Sequence, residues 1–246
     1  MTPRVAIAGS TGRMGHLLQE EVLRAGLTFA GGSSRTGRPL DQIVAAADVV
    51  IDFTNAQSAT GHAALLVRSG LGWVLGTSGL TASDEQAVTE AASVIPIVYA
   101  PNFAPGVNLV LALAERMAAA LPAERYDAEI VEMHHRQKVD APSGTAIGLG
   151  RAVARGRGVA LADVMVSGRD GYTGPRPEGA IGFAALRGGQ VVGEHTLLFA
   201  AGDEHIAITH RAFDRRAFAV GAVQAAIWLA GRQPGLYDMM DVLGMR

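Results

Sequence analysis

The chain has 246 residues, with 21 basic and 23 acidic side chains and a net charge of -2, so it lacks the global positive field that gathers nucleic acid or an anionic membrane surface. It contains no cysteine, which excludes disulfides, zinc-thiolate sites and a thiol nucleophile. Apolar stretches are too short for a membrane span, and the opening MTPRVAIAGS is too short for a secretion signal, so a soluble, cytoplasmic chain of one or two domains is expected.

Arg4 to Ala8 reads as a buried strand, followed by a glycine turn and then Met14, Leu17, Leu18, Val22 and Leu23 at helical spacing. Further strands are expected at Leu27 to Gly32, Asp48 to Asp52, Trp73 to Leu75 and Ile95 to Tyr99, with helices around Ser58 to Ser69 and from Ser83. This alternation predicts an α/β fold with a Rossmann-like doubly wound parallel sheet. Pro101 and Pro105 bracket a stiff connection. Beyond it come a helix (Val107 to Ala120), a strand (Asp127 to Met133), a helix opening at Ser143, a Gly/Pro-rich loop (Gly168 to Gly179) and three strands (Ile181 to Leu186, Val191 to Ala200, His205 to His210). Successive strands imply a second α+β domain with a mixed sheet. A closing helix is expected with its N-cap at Asp214. The boundaries fall at 1–104 plus 213–246 for a first domain, to which the tail is expected to return, and 105–212 for a second.

Gly9-Ser10-Thr11-Gly12-Arg13-Met14-Gly15 stands between the first strand and first helix, where a dinucleotide pyrophosphate would meet the helix N-terminus. Its GxxGxxG spacing is weak out of context, and a ligand-free turn is the competing reading. An NAD-selective site ends its second strand on an acid, but here Ser34 and Arg35 follow Ser33. Arg35 with a 2'-phosphate favours NADPH over NADH; a solvated loop arginine is the alternative. Gly76, Thr77 and Ser78 after the fourth strand, and Ala100, Pro101, Asn102 and Phe103 after the fifth, are further candidate cofactor contacts or plain loops.

The densest polar cluster runs Glu132-Met133-His134-His135-Arg136-Gln137-Lys138-Val139-Asp140-Ala141-Pro142-Ser143-Gly144-Thr145. Two imidazoles, an ammonium and a helix start suit proton transfer to a small dianionic substrate. Lys138 is the only lysine beside 20 arginines, and an ammonium offers a compact, titratable head that arginine does not. A metal site built from Glu132, the histidines and Asp140 lacks a known ligand spacing, so no metal is expected. Ser143 lacks a nucleophile elbow, and a solvated loop with a Ser143 N-cap explains the serine but not the His and Lys. His195, His205 and His210 receive no role.

These segments carry a resemblance. GSTGRMG at 9–15, GTSG at 76–79, APNFAPGVN at 100–108, EMHHRQKVDAPSGTA at 132–146, GEHTLLFAAGDEHIAITHRAFDRRAFAVGA at 193–222 and YDMMDVLG at 237–244 make the chain similar to the 4-hydroxy-tetrahydrodipicolinate (dihydrodipicolinate) reductase family of diaminopimelate and lysine biosynthesis. The resemblance implies an NAD(P)H-dependent oxidoreductase of a small dicarboxylate heterocycle. It implies His134 as proton donor and acceptor, Lys138 as second donor and carboxylate anchor, and His135 with Gly144 and Thr145 as the substrate grip. It implies a homotetramer built through the second domain's sheet, with the C-terminal segment returning to the nucleotide domain. Ser34 departs from the acid found in many members, which bears on dual cofactor use. A non-catalytic nucleotide sensor on the same fold, or a reductase of another imine or carbonyl, are the alternatives.

Overall fold

A computed structural model describes residues 2–245. They divide into two compact units, one comprising residues up to Pro105 and from Arg215 onward, the other Gly106–Asp214. In chain order the first unit supplies β1 (Arg4–Ala8), α1 (Arg13–Arg24), β2 (Thr28–Ser33), β3 (Val49–Asp52), α2 (Ala56–Ser69), β4 (Gly72–Leu75), α3 (Ala82–Ala92) and β5 (Pro96–Tyr99). The second supplies α4 (Pro105–Ala120), β6 (Asp127–His134), α5 (Gly144–Gly156), α6 (Leu161–Val164), β7 (Met165–Ser167), β8 (Ile181–Arg187), β9 (Gly193–Ala200) and β10 (His205–Ala212). The chain closes with α7 (Arg216–Leu229), β11 (Gly235–Tyr237) and α8 (Met239–Val242) in the first unit.

The first unit is a parallel six-stranded sheet, ordered β11-β5-β4-β3-β1-β2. Its strands read as continuous apolar runs because both faces are covered. Val5, Ile7, Ile51, Val74 and Val98 pack under α1, α7 and α8, while Ala6, Ala8, Val50, Trp73 and Ile97 pack under α2 and α3. The period-two alternation of a strand sends neighbouring residues to opposite cores.

The second unit holds a mixed sheet, ordered β10-β9-β6-β8-β7, with β7, β8 and β6 parallel and β9 and β10 antiparallel. Here one face is covered by helices. Ala128, Ile130, Ile181, Phe183, Leu197 and Phe199 pack against Val110 and Ala114 of α4 and Ala146, Leu149 and Val153 of α5. Intervening residues such as Val131 and Thr196 face away from that core. No helix among the described residues is long and apolar enough to cross a membrane.

Most expected elements form, with ends moved by one or two residues. Helix α7 instead starts at Arg216 with Arg215 as its N-cap and no side-chain cap, so Asp214 does not take the capping position its residue type suggested. Strands β7 and β11 were not foreseen: at three residues each they are too short for a period-two pattern to show.

Candidate active site

At the nucleotide loop, Gly9 adopts φ +80, and the amides of Gly9 and Ser10 both donate to the Ser33 carbonyl, at 3.1 and 2.9 Å. The loop is thereby stitched to the end of β2. Gly12 caps α1 with no side-chain partner, leaving first-turn amides open to an anion. At Gly15 an added Cβ would lie 2.3 Å from the Gly9 carbonyl oxygen, so only glycine lets the helix approach the loop this closely.

A cavity of about 630 Å³ opens here, lined by Gly9, Thr11, Gly12, Ser34 and Arg35 among others. Its wall also includes Phe53, Asn55 and His62, which the sequence reading did not single out. Asp52, fully buried at the end of β3, accepts from His62 Nδ1 at 2.6 Å and from the Thr54 amide and hydroxyl at 3.0 and 2.6 Å, fixing that imidazole in place.

The other cofactor candidates occupy different surroundings. Arg13 is exposed, Ser10 is buried and donates from Oγ to the Ser33 carbonyl, and Met14 packs on the first core. Gly76, Thr77 and Ser78 follow β4, and Ala100 to Phe103 follow β5, outside the walls of this cavity. Ala100 and Phe103 put their side chains into the core, leaving only backbone to offer a ligand. Pro101 is exposed, and Asn102 Oδ1 accepts from the Ala104 amide at 2.8 Å. Thr77 is buried with its hydroxyl unpartnered; a buried hydroxyl without a partner suits a ligand that supplies one. The Gly15 approach, the uncapped helix start and the cavity together fit a dinucleotide.

In the second unit the polar cluster condenses around Glu132. Residues 132 and 134 alternate onto the helix-covered face of β6 and are 1% and 8% exposed. Glu132 Oε2 accepts from His134 Nδ1 at 2.6 Å and from Arg187 at 2.8 Å; Oε1 accepts from Arg187 at 2.8 Å and from the Ser143 amide at 3.1 Å. Burial pushes the Glu132 carboxyl up, but the Arg187, His134 and Ser143 hydrogen bonds outweigh it and hold the group below the usual carboxylate range.

Ser143 is the N-cap of α5, its Oγ accepting from the Ala146 amide at 3.2 Å and lying 3.0 Å from His195 Nε2. The His195 ring stands edge-on to His134 with centroids 5.1 Å apart. Burial, then the neighbouring His134, push His195 down to about 4, against the opposing pull of Glu132. It is therefore neutral at physiological pH.

Gly144 lies exposed at the start of α5, with open space where a Cβ would be, and Thr145 follows it in the first turn. His135 is half-buried with Nδ1 unpartnered. Lys138 donates to Asp140 at 2.8 Å, its side chain 20% exposed. Thus His134, His135, Lys138, Gly144 and Thr145 gather around one strand end and one helix start. Arg187 and His195 complete the cluster and were missed by sequence reading. The signal available was their place in strands flanking β6: Glu132 is in register with Ala185 of β8, two residues from Arg187, and with His195 of β9.

Comparison with known proteins places this geometry in a family. Residues 3–103 match dihydrodipicolinate reductase, N-terminus, and residues 106–243 match dihydrodipicolinate reductase, C-terminus. The chain is 66% identical to the 4-hydroxy-tetrahydrodipicolinate reductase of Granulibacter bethesdensis, covering 99% of this chain and 97% of the relative. It is 53% identical to that of Gluconobacter oxydans, over 98% and 97%. Among solved structures, a dipicolinate-bound dihydrodipicolinate reductase from Paenisporosarcina sp. TG-14 superposes with a TM-score of 0.79 at 24% identity, covering 98% of this chain and 99% of that one, a likeness of fold. With the two family segments together matching nearly the whole chain, the chain belongs to the dihydrodipicolinate reductase family.

Proposed function

We propose that this protein reduces 4-hydroxy-tetrahydrodipicolinate to tetrahydrodipicolinate, in the diaminopimelate route to lysine, at the expense of NADPH in preference to NADH. The observation that carries the reading is the buried Glu132–His134 pair beside the Lys138 ammonium and the start of α5, in a chain whose relatives bear that enzyme's name. A nucleotide sensor would not need such a cluster.

When bound, the reduced nicotinamide would supply hydride to C4 of the ring, once the 4-hydroxyl has left with a neighbouring ring proton as water. The protein's part is to hold the dicarboxylate and deliver the accompanying proton. Backbone amides of Gly144 and Thr145 at the α5 start, aided by the helix dipole, grip one carboxylate. His135, with its unpartnered buried Nδ1, extends the grip. Lys138 exchanges its Asp140 partner for a substrate carboxylate and assists protonation. His134 gives up the proton as general acid. Ser34 and Arg35 on the nucleotide cavity support the NADPH preference, since neither repels a 2'-phosphate and the Arg35 guanidinium can pair with it.

The reading includes a cytoplasmic homotetramer assembled through the second unit's sheet, a role that the exposed Val131 and Leu186 on its uncovered face support. The test is oxidation of NADPH by the purified protein with freshly generated heterocycle. Turnover in the wild type that falls roughly 10²- to 10⁴-fold in His134→Gln is expected; no turnover, or full turnover in the variant, overturns the reading.

A further inference from the structure

An ionised carboxylate can only accept hydrogen bonds, and this decides which nitrogen of His134 does the chemistry. Glu132 is clamped by two Arg187 nitrogens at 2.8 Å each and lies 2.6 Å from His134 Nδ1. The Nδ1 atom must therefore carry a hydrogen, which leaves Nε2 as the atom that takes up and releases the exchangeable proton. Neutral His195 does not compete for the carboxylate, because its Nε2 is engaged with Ser143 Oγ.

The other end of the ring points at a second unassigned residue. A Cβ added to Gly193, at the start of β9, would stand 3.0 Å from His134 Nε2 and 3.5 Å from His195 Cε1. Gly193 does not have a positive φ, so its backbone would accept alanine. The glycine is needed for what a side chain would cover.

We propose that Glu132 is the positioning residue of this active site, locking His134 in the Nδ1–H tautomer so that Nε2 faces the substrate, and that Gly193 keeps Nε2 uncovered. Arg187 holds Glu132 in place. Because Glu132 Oε1 also accepts from the Ser143 amide, the same carboxylate ties the proton donor to the helix start that grips the substrate, so both are set by one group. The role of the substrate rests on the reductase reading; the tautomer does not.

The test is imidazole ¹⁵N NMR of the full chain, with His134 assigned against His134→Gln, recorded where the ring is neutral. Wild type should show a protonated Nδ1 and a bare Nε2. Glu132→Gln, whose amide can donate as well as accept, should show mixed tautomers and a kcat lowered about tenfold or more, up to the roughly 10²- to 10⁴-fold of a lost general acid, with substrate KM within about threefold. Gly193→Ala should keep the wild-type nitrogen pattern yet lose kcat, again by about tenfold or more. A wild-type ring protonated at Nε2, or wild-type kcat in Glu132→Gln, overturns the assignment. If Glu132→Gln does not fold, the wild-type spectrum and Gly193→Ala still decide it. If wild type shows the tautomer but no turnover of the heterocycle, the reductase reading fails and the tautomer assignment stands.

Discussion

Acidification should destabilise the second unit through His195. The imidazole is 4% exposed and its pKa falls from 6.5 to about 4. The causes lie on every side: burial first, then His134 on β6, with His210 on β10 and Lys138 acting the same way and Glu132 opposing. The folded state thus favours the neutral ring. Its contribution is fully present above pH 6.5, where folded and unfolded chains are both unprotonated, and is lost as pH falls towards 4, where the unfolded chain has bound a proton that the folded one resists. A gap of about 2.5 pH units corresponds to about 3 kcal/mol, a sizeable share of a stability of roughly 5–15 kcal/mol. The assay compares wild type with His195→Gln, whose amide can bond Ser143 without titrating, by urea unfolding between pH 4 and 7.5. Both tryptophans, Trp73 and Trp228, belong to the first unit, so far-UV circular dichroism is needed to follow the second. Groups common to both proteins cancel in the difference. Wild type should lose about 3 kcal/mol relative to the variant between pH 6.5 and 4. A difference that stays constant across that window would refute the argument that this imidazole is buried in its neutral form.

Three further outcomes are expected. Gly15→Ala places a methyl 2.3 Å from the Gly9 carbonyl oxygen and 2.5 Å from the Ser10 carbonyl, both backbone, so α1 must retreat; NADPH affinity measured by fluorescence should fall about tenfold or more, and unchanged binding would refute the cradle. Lys138→Ala should lower kcat and raise substrate KM together, while Lys138→Arg keeps the charge but not a transferable proton and should recover binding more than rate; full kcat in Lys138→Arg would remove proton donation from its role. Arg35→Ala should weaken NADPH by about 1.5 to 3 kcal/mol, the worth of a charge-assisted contact, and leave NADH nearly unchanged; equal KM effects on both cofactors would refute phosphate selection.

Local chemistry was legible in the residues themselves. The strand, glycine turn and helix at Arg4–Arg24 are set by neighbours in sequence, and so is the Ser143 cap of α5, whose Oγ accepts from an amide three residues on. Apolar runs such as 49–51 could signal a doubly covered parallel strand because burial on both faces removes the polar half of the alternation. The motif from Glu132 to Thr145 likewise placed two imidazoles, an ammonium and a helix start within a short stretch. What no local pattern carried was the company each residue keeps across the sheet. Arg187 and His195 reach Glu132 and Ser143 over separations of 55 and 52 residues, and nothing near either residue in sequence distinguishes it from a surface arginine or a strand histidine. Asp214 looked like a cap, yet the helix began two residues later, since tertiary packing of α7 against α1 and the sheet sets where its first turn starts. The residue types that do the chemistry are a property of the chain; their tautomer, charge and burial arise only when strand register brings distant side chains within hydrogen-bonding distance, because hydrogen bonding and desolvation act between neighbours in space.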